Sequence, residues 1–549
     1  MKIEKMEIKK MEIKKMEIEK MEVKKMRIKQ IKNMKIKEMI PFFIMGALVL
    51  ALAACAGTAG NTLDQPDGYA GAANAAGDDT IVWVQAADIT SLDPHVGRER
   101  EAISVTVHIF DSLLRMDASP QPALADSWEQ LDDVTWRFFL REDVYFHDGV
   151  QMTADDVAFS IERSRDAPRV QFISGFVSHA EVVDEFTVDI TTLHPFAPTL
   201  ANLAMPMMAI VPRHLVEANE EYFIENPVGT GPYRFVEWRR GQGASLVANP
   251  YYFRGAPITT NLEMRVVPEA TQRTIAIETG EAHLAFDLIS NDAARVQNNP
   301  DLVFYDGDPI ASWFLFLNVN RPPLDDYRVR QAIRYAINTS DIIDVARHGL
   351  AIPANSFIPP MAFGHAPHAQ EYPFNPERAR ELLAEAGVSD LTLTLFVNEA
   401  QERIDTCQVI QAQLLQIGIN IDIRVLEMST FQEVVANGDH DIALITWTIP
   451  TLDADYNFFS LLHSSSHGPA GNRSFWADPE TDRLIEAGRS LTDPAERLEV
   501  YHELATHLGP LSPHAYLFFT GIDVGASNRV QGFVNEPNGY HRLYSVWIE

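Results

Sequence analysis

From Thr80 onward the chain alternates β-branched and aromatic runs with segments of helical period. Thr80-Ile81-Val82-Trp83-Val84 reads as a strand, as does Thr135–Leu140, which is followed by a turn at His147-Asp148-Gly149. Thr153 is placed to cap a helix running to Arg163, with Asp155 and Asp156 in its first turn. Further along, Tyr327–Ala336 is helical, and a helix opens at Asn375-Pro376-Glu377 and stops at Ala386-Gly387. A strand at Leu391–Val397, a helix at Asp405–Ile417, and strands at Asn420–Leu426 and Asp441–Trp447 complete a strand–helix–strand series. That alternation predicts an α/β architecture.

The first 79 residues follow other rules. Residues 1–33 repeat a Lys-Met-Glu-Ile-Lys theme at a period that matches neither a helix face nor a strand, so they specify no amphipathic surface. They read as an atypical extension. Ile40–Ala54 is an uncharged stretch preceded by Lys35 and Lys37 and followed by Cys55. As a helix it would span ~22 Å, too short for a bilayer core but right for the apolar region of a signal peptide over 34–54. Leu52-Ala53-Ala54-Cys55 resembles a bacterial lipobox, which implies lipidation at Cys55. Residues 55–79 are Gly-, Ala-, Asn-, Thr- and Asp-rich and read as a tether.

Charge sharpens this division. Residues 1–54 hold 13 Lys and one Arg against 7 Glu, a net +7. The other 495 residues hold 31 Arg against 69 acids, a net −38, with no Lys after Lys37. Schiff-base and P-loop lysines are therefore excluded from the body, and so acidic a surface is a poor partner for nucleic acid. With Cys55 acylated, Cys407 stands alone and no intrachain disulfide forms.

No catalytic constellation stands out. His502 and His507 nearly form a zinc-protease motif, but their spacing of five turns the second off the first one's face. Gly229-Thr230-Gly231-Pro232 begins like a dinucleotide loop and lacks its third glycine. Asp155/Asp156 and Asp325/Asp326 sit at helix starts, where capping explains them. His365 and His368, and His463 and His467, are candidate metal-binding pairs, since imidazole suits nickel and zinc. Ser464-Ser465-Ser466 argues that the second pair lies in a loop.

Several segments together resemble the peptide/nickel family (family 5) of extracytoplasmic solute-binding proteins that serve ABC importers. They are Ala123–Trp128, Phe138–Gly149, Thr153–Ser160, Val228–Tyr233, Glu278–Gly280, Asn318 with Val329–Asn338, and Asn375–Gly387, collinear over residues 80–549. The resemblance implies a two-lobed α/β fold of the periplasmic-binding-protein kind, with a hinge and an interlobe ligand cleft. Lobe I would comprise 80–306 and a return at 516–549, and lobe II 307–515. It also implies a non-enzymatic, monomeric receptor without a cofactor of its own, held outside the cell membrane by the lipid anchor and docking on ABC permease transmembrane subunits.

For the ligand, the resemblance ranks a nickel or other transition-metal chelate ahead of a short peptide. Peptide-binding members place an Asp where this chain has Pro450, after Trp447-Thr448-Ile449. His467 matches a metal-ligating histidine of nickel-binding members, and Trp447 an apolar wall. Arg169 and Phe172 fall near an Arg and a Trp of the chelate pocket, Arg169 being suited to a carboxylate. The segment Thr191–Pro212 runs like the nickel members without their carboxylate-binding Arg. Met207 is a candidate sulfur or apolar contact, and Asp453 and Asp455 are candidates for a ligand cation or for holding their own loop.

Overall fold

The computed structural model describes residues 79–366 and 371–549. The extension 1–33, the signal segment 34–54, the tether up to residue 78 with Cys55, and His368 lie outside the described residues.

Two sheets organise two lobes. The first has seven strands in the spatial order Leu302–Tyr305, Val524–Ser527, Leu284–Phe286, Thr80–Gln85, Asn261–Val266, Gly243–Ala248 and Tyr233–Arg239. Thr80–Gln85 runs parallel to both of its neighbours. It carries Ile81 and Trp83 to one side core and Val82 and Val84 to the other. A four-stranded antiparallel sheet, Ala125–Gln130, Thr135–Leu140, Thr187–Thr192 and Val177–Asp184, adds a subdomain to this lobe. Thr153 caps the helix Ala154–Asp166 through a capping box with Asp156. The Gly229–Gly231 turn is explained by packing, because a Cβ on Gly229 would lie 2.1 Å from the carbonyl oxygen of Ile109.

Lobe II is built on six strands in the order Ile352–Pro353, His514–Thr520, Ala311–Leu317, Ile442–Thr448, Leu391–Asn398 and Ile419–Leu426. Leu391–Asn398 is parallel to both neighbours; the helix Gln401–Leu415 leads from it to Ile419–Leu426, and Met428–Asn437 leads from there to Ile442–Thr448. Parallel strands need such crossovers. Asp326 caps Tyr327–Ala336 and Asn375 caps Pro376–Glu385, as the sequence predicts.

One boundary is corrected. The return to lobe I begins after Thr520 rather than at 516, since His514–Thr520 pairs with Ala311–Leu317 inside the lobe II sheet. The chain thus crosses between lobes at 306–310 and at 521–523. These crossings touch at glycines: a Cβ on Gly521 would lie 1.9 Å from Gly307 O, so no side chain fits there. The Gly307 N–H donates to Asp523 Oδ1 at 3.2 Å.

The lobes are closed on one another. Ala197 N–H of lobe I donates to Arg489 O of lobe II at 2.7 Å. One apolar cluster runs from Phe138 and Ile190 in lobe I to Phe314, Phe458 and Tyr501 in lobe II.

Candidate functional site

The hinge-facing edge of the lobe II sheet carries the site. Trp447, near the end of Ile442–Thr448, stands opposite Ser312 in the register. Its indole Nε1 is buried and has no hydrogen-bond partner among the described residues, which leaves a donor open to an acceptor. The Trp447 ring lies 6.1 Å from that of Tyr456, and Tyr456 lies 6.2 Å from Phe172 of lobe I. Arg98 reaches over Phe172, its Cζ 5.9 Å from the ring centroid. Burial pushes the Tyr456 hydroxyl up to about 12, against the opposing effect of Arg98, so it remains a neutral donor. Aromatic rings from both lobes therefore meet where the lobes come together.

On the neighbouring strand Ala311–Leu317, and on the other face of the sheet from Trp447, Trp313 meets two guanidinium groups, Arg347 at 5.5 Å and Arg403 at 5.3 Å from its ring centroid. Arg347 is paired with Glu402. Arg403 has no carboxylate within ion-pair distance among the described residues, and burial pushes its pKa below the usual arginine value. It also stands in the first turn of the helix Gln401–Leu415, where the dipole already favours negative charge. This half-buried cation at the positive end of a helix has Glu402 acting on it but no ion-paired carboxylate, and is suited to an incoming anion.

The structure distributes the sequence-predicted residues unevenly. Trp447 and Phe172 are brought together through Tyr456. Arg169, on the same segment as Phe172, is paired with Glu99 and donates to Val96 O at 2.9 Å, so its guanidinium already has protein partners. Met207 is corrected from a cleft contact to a core residue: it is 2% exposed and packs in the apolar cluster. Asp453 caps the helix Ala454–Leu462 and forms a two-pronged pair with Arg497, both contacts 2.6 Å. Its carboxylate is consumed by that pair and offers nothing to a ligand cation. Asp455 lies 3.0 Å from Arg489 Nε, but neither atom finds a well-aligned hydrogen bond. Burial accordingly prevails over the nearby cation and pushes Asp455 up to about 6.

His467 stands apart from the aromatic clamp in its contacts. Its Nε2 lies 2.7 Å from Trp476 O, so that nitrogen donates and Nδ1 is the ring atom left for another partner. Ser464–Ser466 forms a single 3-10 turn, and His463 bonds Ser465 rather than pairing with His467. No group of three or more His, Cys, Asp or Glu able to hold a metal occurs among the described residues. His502 and His507 face different partners, His365 O and Asp478.

Sequence reasoning missed Arg403, because it started the helix at Asp405, beyond that residue. The available signal was an arginine beside Glu402 just ahead of a helix, the end that disfavours a cation.

Residues 119–469 match the family profile described as "Bacterial extracellular solute-binding proteins, family 5 Middle". The chain belongs to family 5, the solute-binding proteins of ABC importers. A dipeptide-binding protein of Escherichia coli is 28% identical over 461 residues, covering 78% of this chain and 86% of the relative. The ABC transporter-associated periplasmic binding protein DppA of Helicobacter pylori, solved with the peptide STSA, superposes with a TM-score of 0.76 at 26% identity. That match covers 86% of this chain and 98% of that one. NikZ of Campylobacter jejuni in complex with Ni(L-His) gives a TM-score of 0.74 at 24% identity over 83% of this chain and 96% of its own. At that identity the likeness is one of fold. Family 5 proteins bind solutes and hand them to permeases outside the cytoplasm.

Proposed function

We propose that this receptor binds short peptides and holds them chiefly by the terminal carboxylate, on Arg403. The observation that carries this reading is the half-buried Arg403 guanidinium, over the Trp313 ring and without an ion-paired carboxylate among the described residues, at the N-terminus of Gln401–Leu415. Trp447, Tyr456 and Phe172 would clamp the peptide body, and the open indole N–H of Trp447 would take a peptide carbonyl. Pro450 leaves no acid for the amino end at that position, so the carboxylate end carries the affinity. The peptide ligands of the E. coli and H. pylori proteins support the same reading.

Thermal unfolding with di- and tripeptides tests it. A ligand at 100 times its Kd adds about 2.7 kcal/mol to the folded state. N-acetylated peptides are expected to stabilise as well as free ones, and C-terminal amides are not. Arg403→Gln is expected to weaken binding by roughly 10- to 100-fold. Equal binding of amides and free acids would overturn the assignment.

A second reading, a nickel chelate, rests on His467, whose Nδ1 is left for a metal by the Nε2–H bond to Trp476. Stabilisation by Ni²⁺ with free histidine, lost in His467→Ala, would establish it over the peptide. We also infer lipid anchoring through Cys55 after cleavage of 34–54. Incorporation of labelled palmitate into wild type but not Cys55→Ser is the expected result.

A further inference from the structure

Away from the interlobe cleft, lobe II contains a cavity of 260 Å³ between the helices Tyr327–Ala336 and Thr339–Ala346 and the strand His514–Thr520. Arg334 lines it while being only 9% exposed. Its guanidinium is flanked by Tyr372 at 3.7 Å and Tyr516 at 4.8 Å from the ring centroids, which cover its flat surface and leave the edge donors for other partners. One of them reaches Ser512 Oγ at a long 3.3 Å. No carboxylate pairs with Arg334 among the described residues, and the ionisable neighbours that act on it are Tyr516, Tyr372 and Tyr335. A cation this deeply buried is costly without an anion.

The rest of the lining narrows the class. The N-terminus of Thr339–Ala346, capped by Asn338, opens on the same cavity and adds positive potential. Phe374 and Ile337 give it apolar walls, and Glu371 places one acid on the lining. One cation against one acid disfavours a dianion such as phosphate, whereas the planar fork of an arginine suits a carboxylate. The volume lies below the ~300–1,000 Å³ of drug-sized sites.

We propose that lobe II carries a second ligand site, centred on Arg334, for a small monocarboxylate with an apolar or aromatic body. Such a site would let a metabolite bind independently of the transported solute.

Isothermal titration of the whole protein with benzoate, phenylacetate and inorganic phosphate tests the proposal. The aromatic carboxylates are expected to bind at millimolar concentration or tighter, and phosphate is not. Arg334→Gln should weaken carboxylate binding by roughly 10- to 100-fold. Ser340→Glu, at an exposed helix start that tolerates an acid, should compete for the guanidinium and do the same while the protein stays folded. Peptide binding in the cleft should be unchanged in both. Absence of carboxylate binding, unchanged affinity in Arg334→Gln and Ser340→Glu, or phosphate binding as tight as carboxylate would each overturn it. Loss of the benzoate signal in Arg403→Gln would place the ligand in the cleft instead.

Discussion

Glu402 of lobe II accepts the backbone N–H of Ser290 in lobe I at 2.8 Å. Ser290 is the first residue of the helix Ser290–Gln297, and Glu402 lies in the first turn of Gln401–Leu415. One carboxylate thus serves two helix N-termini across the cleft and also pairs with Arg347, which is 7% exposed in its side chain. The Ser290 amide thus finds its side-chain partner on the opposite lobe.

Glu402→Gln keeps an oxygen for Ser290 but removes the charge opposite Arg347. Urea unfolding should show a loss of about 3 kcal/mol, the lower end for breaking a buried pair. Ligand affinity should fall by about tenfold as the charge-assisted bond that bridges the lobes at Ser290 becomes a neutral one. Unchanged stability and affinity would show that this carboxylate does not hold the lobes together.

Asp453→Asn should cost about 3–5 kcal/mol by stranding the buried Arg497. In the fraction that remains folded, calorimetric affinity for the ligand should equal that of wild type. A selective loss of affinity with intact stability would instead return Asp453 to the binding site.

The raised pKa of Asp455 has a definite sign. The folded state holds this proton more tightly than the unfolded chain, so the group's contribution to stability is complete below its ordinary value of 3.8 and is lost as pH rises through about 6. Asp455→Asn should therefore gain on wild type between pH 4 and pH 7, by at most ~3 kcal/mol. Urea unfolding at both pH values reads this directly, and a pH-independent difference would sink it.

Gly521→Ala forces a methyl group against Gly307 O. The two crossings must separate, and a loss of about 3 kcal/mol or more in unfolding free energy is expected. An alanine variant as stable as wild type would mean that the crossings part easily.

Local chemistry made much of the fold legible. The strand Thr135–Leu140 and the helix Tyr327–Ala336 follow from their own periodicity, and Thr153, Asp326 and Asn375 announce the helices they cap. The run His514–Thr520 was less readable, because an apolar strand carries no mark of which sheet it joins. In the site, Trp447 and Phe172 came through family likeness. Met207 did not, since an apolar side chain reads alike in a core and in a cleft wall. The partner of Asp453 lies 44 residues away, which leaves no trace in the local pattern.

The strand Val524–Ser527 lies between Leu284–Phe286 and Leu302–Tyr305, and it alone joins the latter to the lobe I sheet. During synthesis lobe II has all its strands before this one is made, while lobe I waits for nearly the whole polypeptide. Loss of the last segment would therefore leave the lobe II sheet with all its strands and detach Leu302–Tyr305 from the sheet of lobe I.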